Sequence, residues 1–122
     1  MRLPAHLIKG RECEKQARVY LESQGLTFLE QNYRSRYGEI DLIMQDQTTL
    51  VFVEVRYRDS NAFGSAAETV DIRKQNKLRT TAEYYLQQHQ KYKMYPCRFD
   101  VVAASPDTSK NNLNWLKNAF GI

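Results

Sequence analysis

The stretch 38–56 constrains this chain most. Gly38-Glu39-Ile40-Asp41-Leu42-Ile43-Met44 and Leu50-Val51-Phe52-Val53-Glu54-Val55-Arg56 are two runs rich in Ile, Val, Leu and Phe. Such residues favour strands. The polar Gln45-Asp46-Gln47-Thr48-Thr49 between them favours a turn. Leu50 to Val53 is apolar at every position, as in a central strand covered on both faces. Yet Glu54 and Arg56 follow on that strand, and Asp41 interrupts its partner.

Alternation puts Leu50, Phe52, Glu54 and Arg56 on one face, and Glu39, Asp41 and Ile43 together on the other strand. A turn with an even number of residues pairs odd positions of the first strand with even positions of the second. Asp41, Glu54 and Arg56 then share one side of the sheet, and a slip of one residue would separate them. Two carboxylates beside a cation suit a hard divalent metal. They equally suit a solvated strand end with an ordinary Glu54–Arg56 pair. The hairpin alone leaves both readings open.

With 122 residues, 42% hydrophobic and 26% charged, the chain predicts one globular domain, 1–122. A net charge of +4 leans toward an anionic partner. No apolar run reaches the length of a membrane span. Met1-Arg2-Leu3-Pro4-Ala5-His6 lacks the apolar segment of a signal peptide. A cytoplasmic protein with no membrane partner is therefore expected, with Cys13 and Cys97 kept as thiols. Two cysteines do not make a zinc site, and His6 and His89 are expected at the surface.

Residues 7–24 predict a helix, with Leu7, Gly10, Glu14, Ala17 and Leu21 on one stripe and Gly25 as the cap. Glu14 on that stripe needs a cation, a metal or a water-filled cleft, unless it lies at the stripe's edge. Residues 27–34 predict an outer strand, and Ser35-Arg36-Tyr37-Gly38 a turn. Arg34 and Arg36 either contact phosphate or offset the carboxylates. Residues 57–65 predict a loop, in which Phe63 either anchors the loop or stacks on a base. Asp71 fits the N-cap of a helix running to about Gln88, with Leu78, Ala82, Tyr85 and Leu86 inward. Arg73, Lys74, Lys77 and Arg79 oppose the macrodipole at its start, which marks either a functional basic surface or a solubilising face. Arg98 to Ala104 predicts a strand, 105–112 a loop, and 113–120 a short strand or helical turn. The sum is an α/β domain of order α-β-β-β-α-β, a mixed sheet with helices covering it. In that arrangement the first helix can bring Glu14 near Asp41 and Glu54.

These residues resemble the acid–acid–base motif of the restriction-endonuclease-like fold, an Asp followed on the next strand by Glu-x-Lys. More narrowly, the chain is similar to the bacterial YraN family, relatives of archaeal Holliday-junction resolvases. Gly10-x-x-x-Glu14-x-x-Ala17, Gly38 to Ile43, Val51 to Arg56, Phe63-Gly64, Lys74 with Lys77 and Leu78, and Cys97 to Val102 carry the likeness. It implies Mg²⁺ or Mn²⁺ on Asp41, Glu54 and the Val55 carbonyl, with Glu14 binding through water or orienting a ligand. It also makes a homodimer plausible, since resolvase relatives are dimeric. Cys13 stands where the family often has Gly. Arg56 stands where the motif has Lys; it cannot give up its proton, but it can hold water or stabilise charge.

Three functions are expected in order. The first is a Mg²⁺-dependent, structure-specific endonuclease on branched or structured DNA. Glu14, Asp41, Glu54 and Arg56 would be catalytic, and Arg34, Arg36, Arg73, Lys74 and Lys77 would hold phosphates. The second is a nucleic-acid-binding module that does not cut. The third is a protein-interaction subunit of a repair or recombination complex, using some of the eight tyrosines.

Overall fold

A computed structural model describes residues 5–57, 70–104 and 113–121, with side chains from Gly10 onward. The order is α1 (Ala5–Ser23), β1 (Thr27–Ser35), β2 (Gly38–Asp46), β3 (Thr49–Tyr57), α2 (Ile72–Gln88), a 3₁₀ turn (Gln90–Tyr92), β4 (Cys97–Ala104) and β5 (Leu113–Phe120). The strands form one mixed sheet in the order β1-β2-β3-β4-β5. β3 and β4 are parallel and the other neighbours are antiparallel. This is the expected α/β core plus one strand, since 113–120 pairs with β4 and is not a helical turn. Phe63, Gly64, all but Tyr57 of the loop expected over 57–65 and the loop expected over 105–112 lie outside the described residues. Among the described residues, no helix is long and apolar enough to cross a membrane.

The chain ends α1 with a left-handed residue. Gly25 has φ +97°, Leu26 N–H reaches the Leu21 carbonyl at 3.1 Å, and Gly25 N–H reaches that of Glu22 at 3.0 Å. The last carbonyls of the helix are thereby satisfied. Ala17 and Leu21 pack on Leu42, Met44, Val51 and Val53. On the other face Leu78, Ala82 and Tyr85 of α2 pack on Ile43, Leu50, Phe52 and Phe99. Each large side chain removed from water contributes about 1.5–3 kcal/mol. β3 is central, and Leu50 to Val53 are buried, as its unbroken apolar run requires.

The β2–β3 turn is tighter than the polar run suggests. Asp46 still pairs with Thr49, leaving Gln47 and Thr48 at the tip, with Gln47 at φ 56°. The five-residue polar run closes to a two-residue loop, an even number, so odd positions pair with even ones: Leu42 faces Val53 and Ile43 faces Phe52.

At the far end of the sheet a buried ion pair fixes β5. Asp100 is fully buried. It accepts Arg98 Nε–H at 3.0 Å, Trp115 Nε1–H at 3.0 Å and the Asn118 backbone N–H at 2.9 Å. Arg98 Nη1 also donates to Asp46 at 3.0 Å. Buried charge is tolerated here because every partner is supplied.

Candidate functional site

The β2–β3 ladder stops at Leu42↔Val53. Beyond it, β3 continues along β4, from Glu54↔Val101 to Tyr57↔Ala104, while β2 continues along β1 as Ile40↔Tyr33 and Glu39↔Arg34. The two strands of the hairpin therefore part at Asp41 and Glu54. Asp41 Oδ2 accepts the Val55 N–H at 2.8 Å, so a side chain stands in for a missing backbone acceptor.

The side-chain faces also reverse at this point. Leu42 and Met44 belong to the α1 layer. Ile40 belongs to the α2 layer, and a Cβ on Gly38 would meet Thr81 Oγ1 of α2 at 3.0 Å. Even-numbered residues thus change sides between Ile40 and Leu42. This corrects the expectation that Glu39, Asp41 and Ile43 share a face. The reversal coincides with Asn32, which is bracketed by the rungs Gln31↔Leu42 and Tyr33↔Ile40 and has φ 53°. Asn tolerates that left-handed conformation better than most residues.

The reversal lets acids from both layers approach Asp41. From the α2 side comes Glu54, 5% exposed, with Arg56 Nη2 and Lys74 Nζ each 3.4 Å from its Oε2. The Asp41 and Glu54 carboxyl groups lie close enough to act on each other's ionisation. From the α1 side comes Glu14, half-buried. The Asn32 amide, its nitrogen turned to the acids, donates to Glu14 Oε2 and Glu39 Oε1 at 3.1 Å each.

Burial raises Asp41 well above the usual carboxylate range, and the Glu54 carboxyl beside it adds to the rise. The Val55 N–H and Lys74 oppose it. Burial, then the charges of Asp41 and Glu39, push Glu14 to about 7 against the Asn32 hydrogen bond and Arg11. Like charges held this close oppose ionisation of Asp41. Among the described residues, no three His, Cys, Asp or Glu are gathered closely enough to hold a metal ion. The arrangement is a carboxyl pair with a third acid standing off on the other side. The pair's hard oxygen donors fit Mg²⁺ or Mn²⁺ in kind. Val55 touches Asp41 through its N–H.

The basic residues divide into groups. Lys74 turns inward to Glu54. Arg36 lies over the Tyr37 ring at 5.0 Å, and Tyr37 lines a cleft with Ile72, Arg73, Asn76, Lys77 and Thr80. Arg34 is exposed and ion-paired with Glu39 at 3.5 Å. Asn32 and Glu39 were not singled out from sequence. A polar Asn in a strand was the available sign, because Asn is depleted in strands and enriched at positive φ.

A mixed five-stranded sheet between two helices, with acids at the parting of its central hairpin, makes this a nuclease-like α/β domain. The chain belongs to the uncharacterised protein family UPF0102, the YraN family, whose model matches residues 13–104. It is 50% identical over 111 residues to a UPF0102 protein of Stutzerimonas stutzeri, covering 91% of this chain and 92% of the relative. It is 47% identical over 116 residues to one of Pseudomonas fluorescens, covering 95% of each. It is 48% identical over 112 residues to one of Nitrosomonas europaea, covering 92% of each.

Proposed function

We propose that this protein is a Mg²⁺- or Mn²⁺-dependent endonuclease that hydrolyses phosphodiesters in branched or structured DNA. The observation that supports this reading is the Asp41–Glu54 carboxyl pair at the parting of β2 and β3, beside Arg56 and Lys74. Two carboxylates pressed together away from water require a proton or a cation. Asp41 and Glu54 would hold the ion with the Val55 carbonyl, and Glu14 would reach it through water. A bound ion of this kind lowers the pKa of its water and takes up charge on a phosphoryl oxygen.

The chain's own residues supply the rest. Arg56, half-buried and always charged, holds the attacking water and stabilises charge on the phosphate. Its Nε is buried without a partner among the described residues, a donor that a phosphate oxygen would satisfy. Lys74 carries a second cation to the same place. Arg36, Arg73 and Lys77 take flanking phosphates, with Arg34 at the margin. The reading places the protein in the cytoplasm, as a homodimer able to address two strands of a junction.

One observation favours a second reading. Arg56 is ion-paired with Glu54 at 3.4 Å and cannot act as a base. A module that binds nucleic acid without cutting needs no more than that.

The test is incubation of purified protein with four-way junctions, flaps and linear duplexes in Mg²⁺ or Mn²⁺. Branch-selective cleavage that Asp41→Ala and Glu54→Gln abolish is the expected result. Cutting that survives Asp41→Ala comes from a contaminant and removes the reading. Salt-sensitive binding with no cutting in any divalent ion establishes the second one. Arg56→Lys, assayed alongside, shows whether the guanidinium limits turnover.

A further inference from the structure

A second charged cleft lies between α1 and the β1 edge, and of its walls the proposed reaction uses Glu14 alone. Arg11, Glu14, Lys15, Arg18, Gln31 and Asn32 line it, so three cations there face one carboxylate. Arg11, Lys15 and Arg18 recur at spacings of four and three and lie on one stripe of the helix. From first to last the helix rises about 10 Å, the axial length of about three nucleotides of one strand. The Arg18 guanidinium is held 3.5 Å over the centre of the Phe28 ring and 3.5 Å from Glu22. Its direction is therefore set before any ligand arrives. Arg11 and Lys15 are exposed, as is Gln31, whose amide suits sugar and base oxygens.

Placement gives the cleft its meaning. Glu14 is at once a wall of this cleft and a neighbour of Asp41. The cleft of Tyr37, Arg73 and Lys77 belongs to the α2 layer, beside Lys74, which reaches Glu54. Cations thus flank the acids in both layers of the molecule. A strand whose phosphodiester rests at Asp41 runs on in two directions, and each direction meets one of these basic surfaces.

We infer that the α1–β1 cleft binds phosphates of a nucleic-acid strand on the far side of the acids from α2, so that the strand is gripped on both sides of the reacting position. This rests on the nucleic-acid reading proposed above. Fluorescence anisotropy of a labelled four-way DNA junction, in Ca²⁺ buffer across a salt series, tests it with three paired variants. Arg11→Gln with Lys15→Gln is expected to weaken binding about tenfold and to flatten the log–log salt slope by about 2. Lys91→Gln with Lys93→Gln removes the same charge near the remote 3₁₀ turn and is expected to change affinity by less than about twofold. Arg73→Gln with Lys77→Gln reports on the α2 side alone. If the α1 pair does no more than the remote pair while the α2 pair weakens binding, the cleft is overturned and the α2 surface stands. If the wild type does not bind, or none of the three pairs weakens binding, the cleft and the nucleic-acid reading fall together.

Discussion

Asp41 on β2 and Glu54 on β3 occupy the rung that would follow Leu42↔Val53, and there two neighbouring carboxyl groups stand where backbone pairing ends. The Asp41 side chain then takes the Val55 N–H at 2.8 Å. One aspartate both ends a ladder and begins a site.

This pairing predicts a pH-dependent effect of Asp41→Asn. The folded-state pKa of Asp41 is raised, so its protonated form belongs to the native state. That contribution is complete below the ordinary Asp range and is lost as pH rises through the raised value. Asn keeps an oxygen for the Val55 N–H and carries no charge. In thermal melts without divalent ions, Asp41→Asn should match wild type near pH 4 and exceed it by about 3–6 °C near pH 9. Mg²⁺ at the higher pH should raise the wild-type midpoint and leave the variant unmoved.

Asn32 holds Glu14 and Glu39 from a left-handed backbone. Asn32→Ala should lower stability by about 1–2 kcal/mol in urea titrations, from the backbone conformation alone. Asn32→Gly should recover that part. In both variants Glu14 should titrate above its wild-type value, because the hydrogen bond that lowers it is gone; carboxyl NMR reads this directly.

Asp100 is the partner on which the β4–β5 edge depends. Asp100→Ala leaves Arg98 with Asp46 as its remaining carboxylate and orphans the Trp115 Nε1–H and Asn118 N–H donors. A loss of about 3–5 kcal/mol is expected, seen as a lower denaturant midpoint. Trp115 fluorescence should report early release of β5.

Gly38 combines φ +155° with a position 3.0 Å short of Thr81 Oγ1. Gly38→Ala should cost about 1–3 kcal/mol and loosen the turn bearing Arg36 and Tyr37 from α2. Pairing it with Thr81→Ala, which removes the Oγ1 contact, isolates the conformational part, since the backbone strain at Gly38 remains.

Much of the frame was legible in the chain. The apolar run from Leu50 to Val53 marked the central strand and Gly25 marked the end of α1, whereas the five-residue polar run left the hairpin register open until the two-residue loop fixed it. The three acids were also visible, since each broke a local pattern. The reversal of faces at Asn32 and Asp41 was not visible, because alternation is a local rule and the reversal arises between strands. Lys74 looked like a surface cation; only the packing of α2 on β3 turns it toward Glu54. The Arg98–Asp100–Trp115 network joins residues too distant in sequence for any periodicity to connect. Gln47 at positive φ gave no warning, since Gln is not a residue that favours such turns.

The unfinished hairpin sets sturdiness against reactivity. A substitution that let β2 and β3 zip one step further would align the backbones, bury fewer charges and make a more heat-resistant domain. It would also close the gap in which the carboxyls meet, so a hardened variant of this chain should be an inert one.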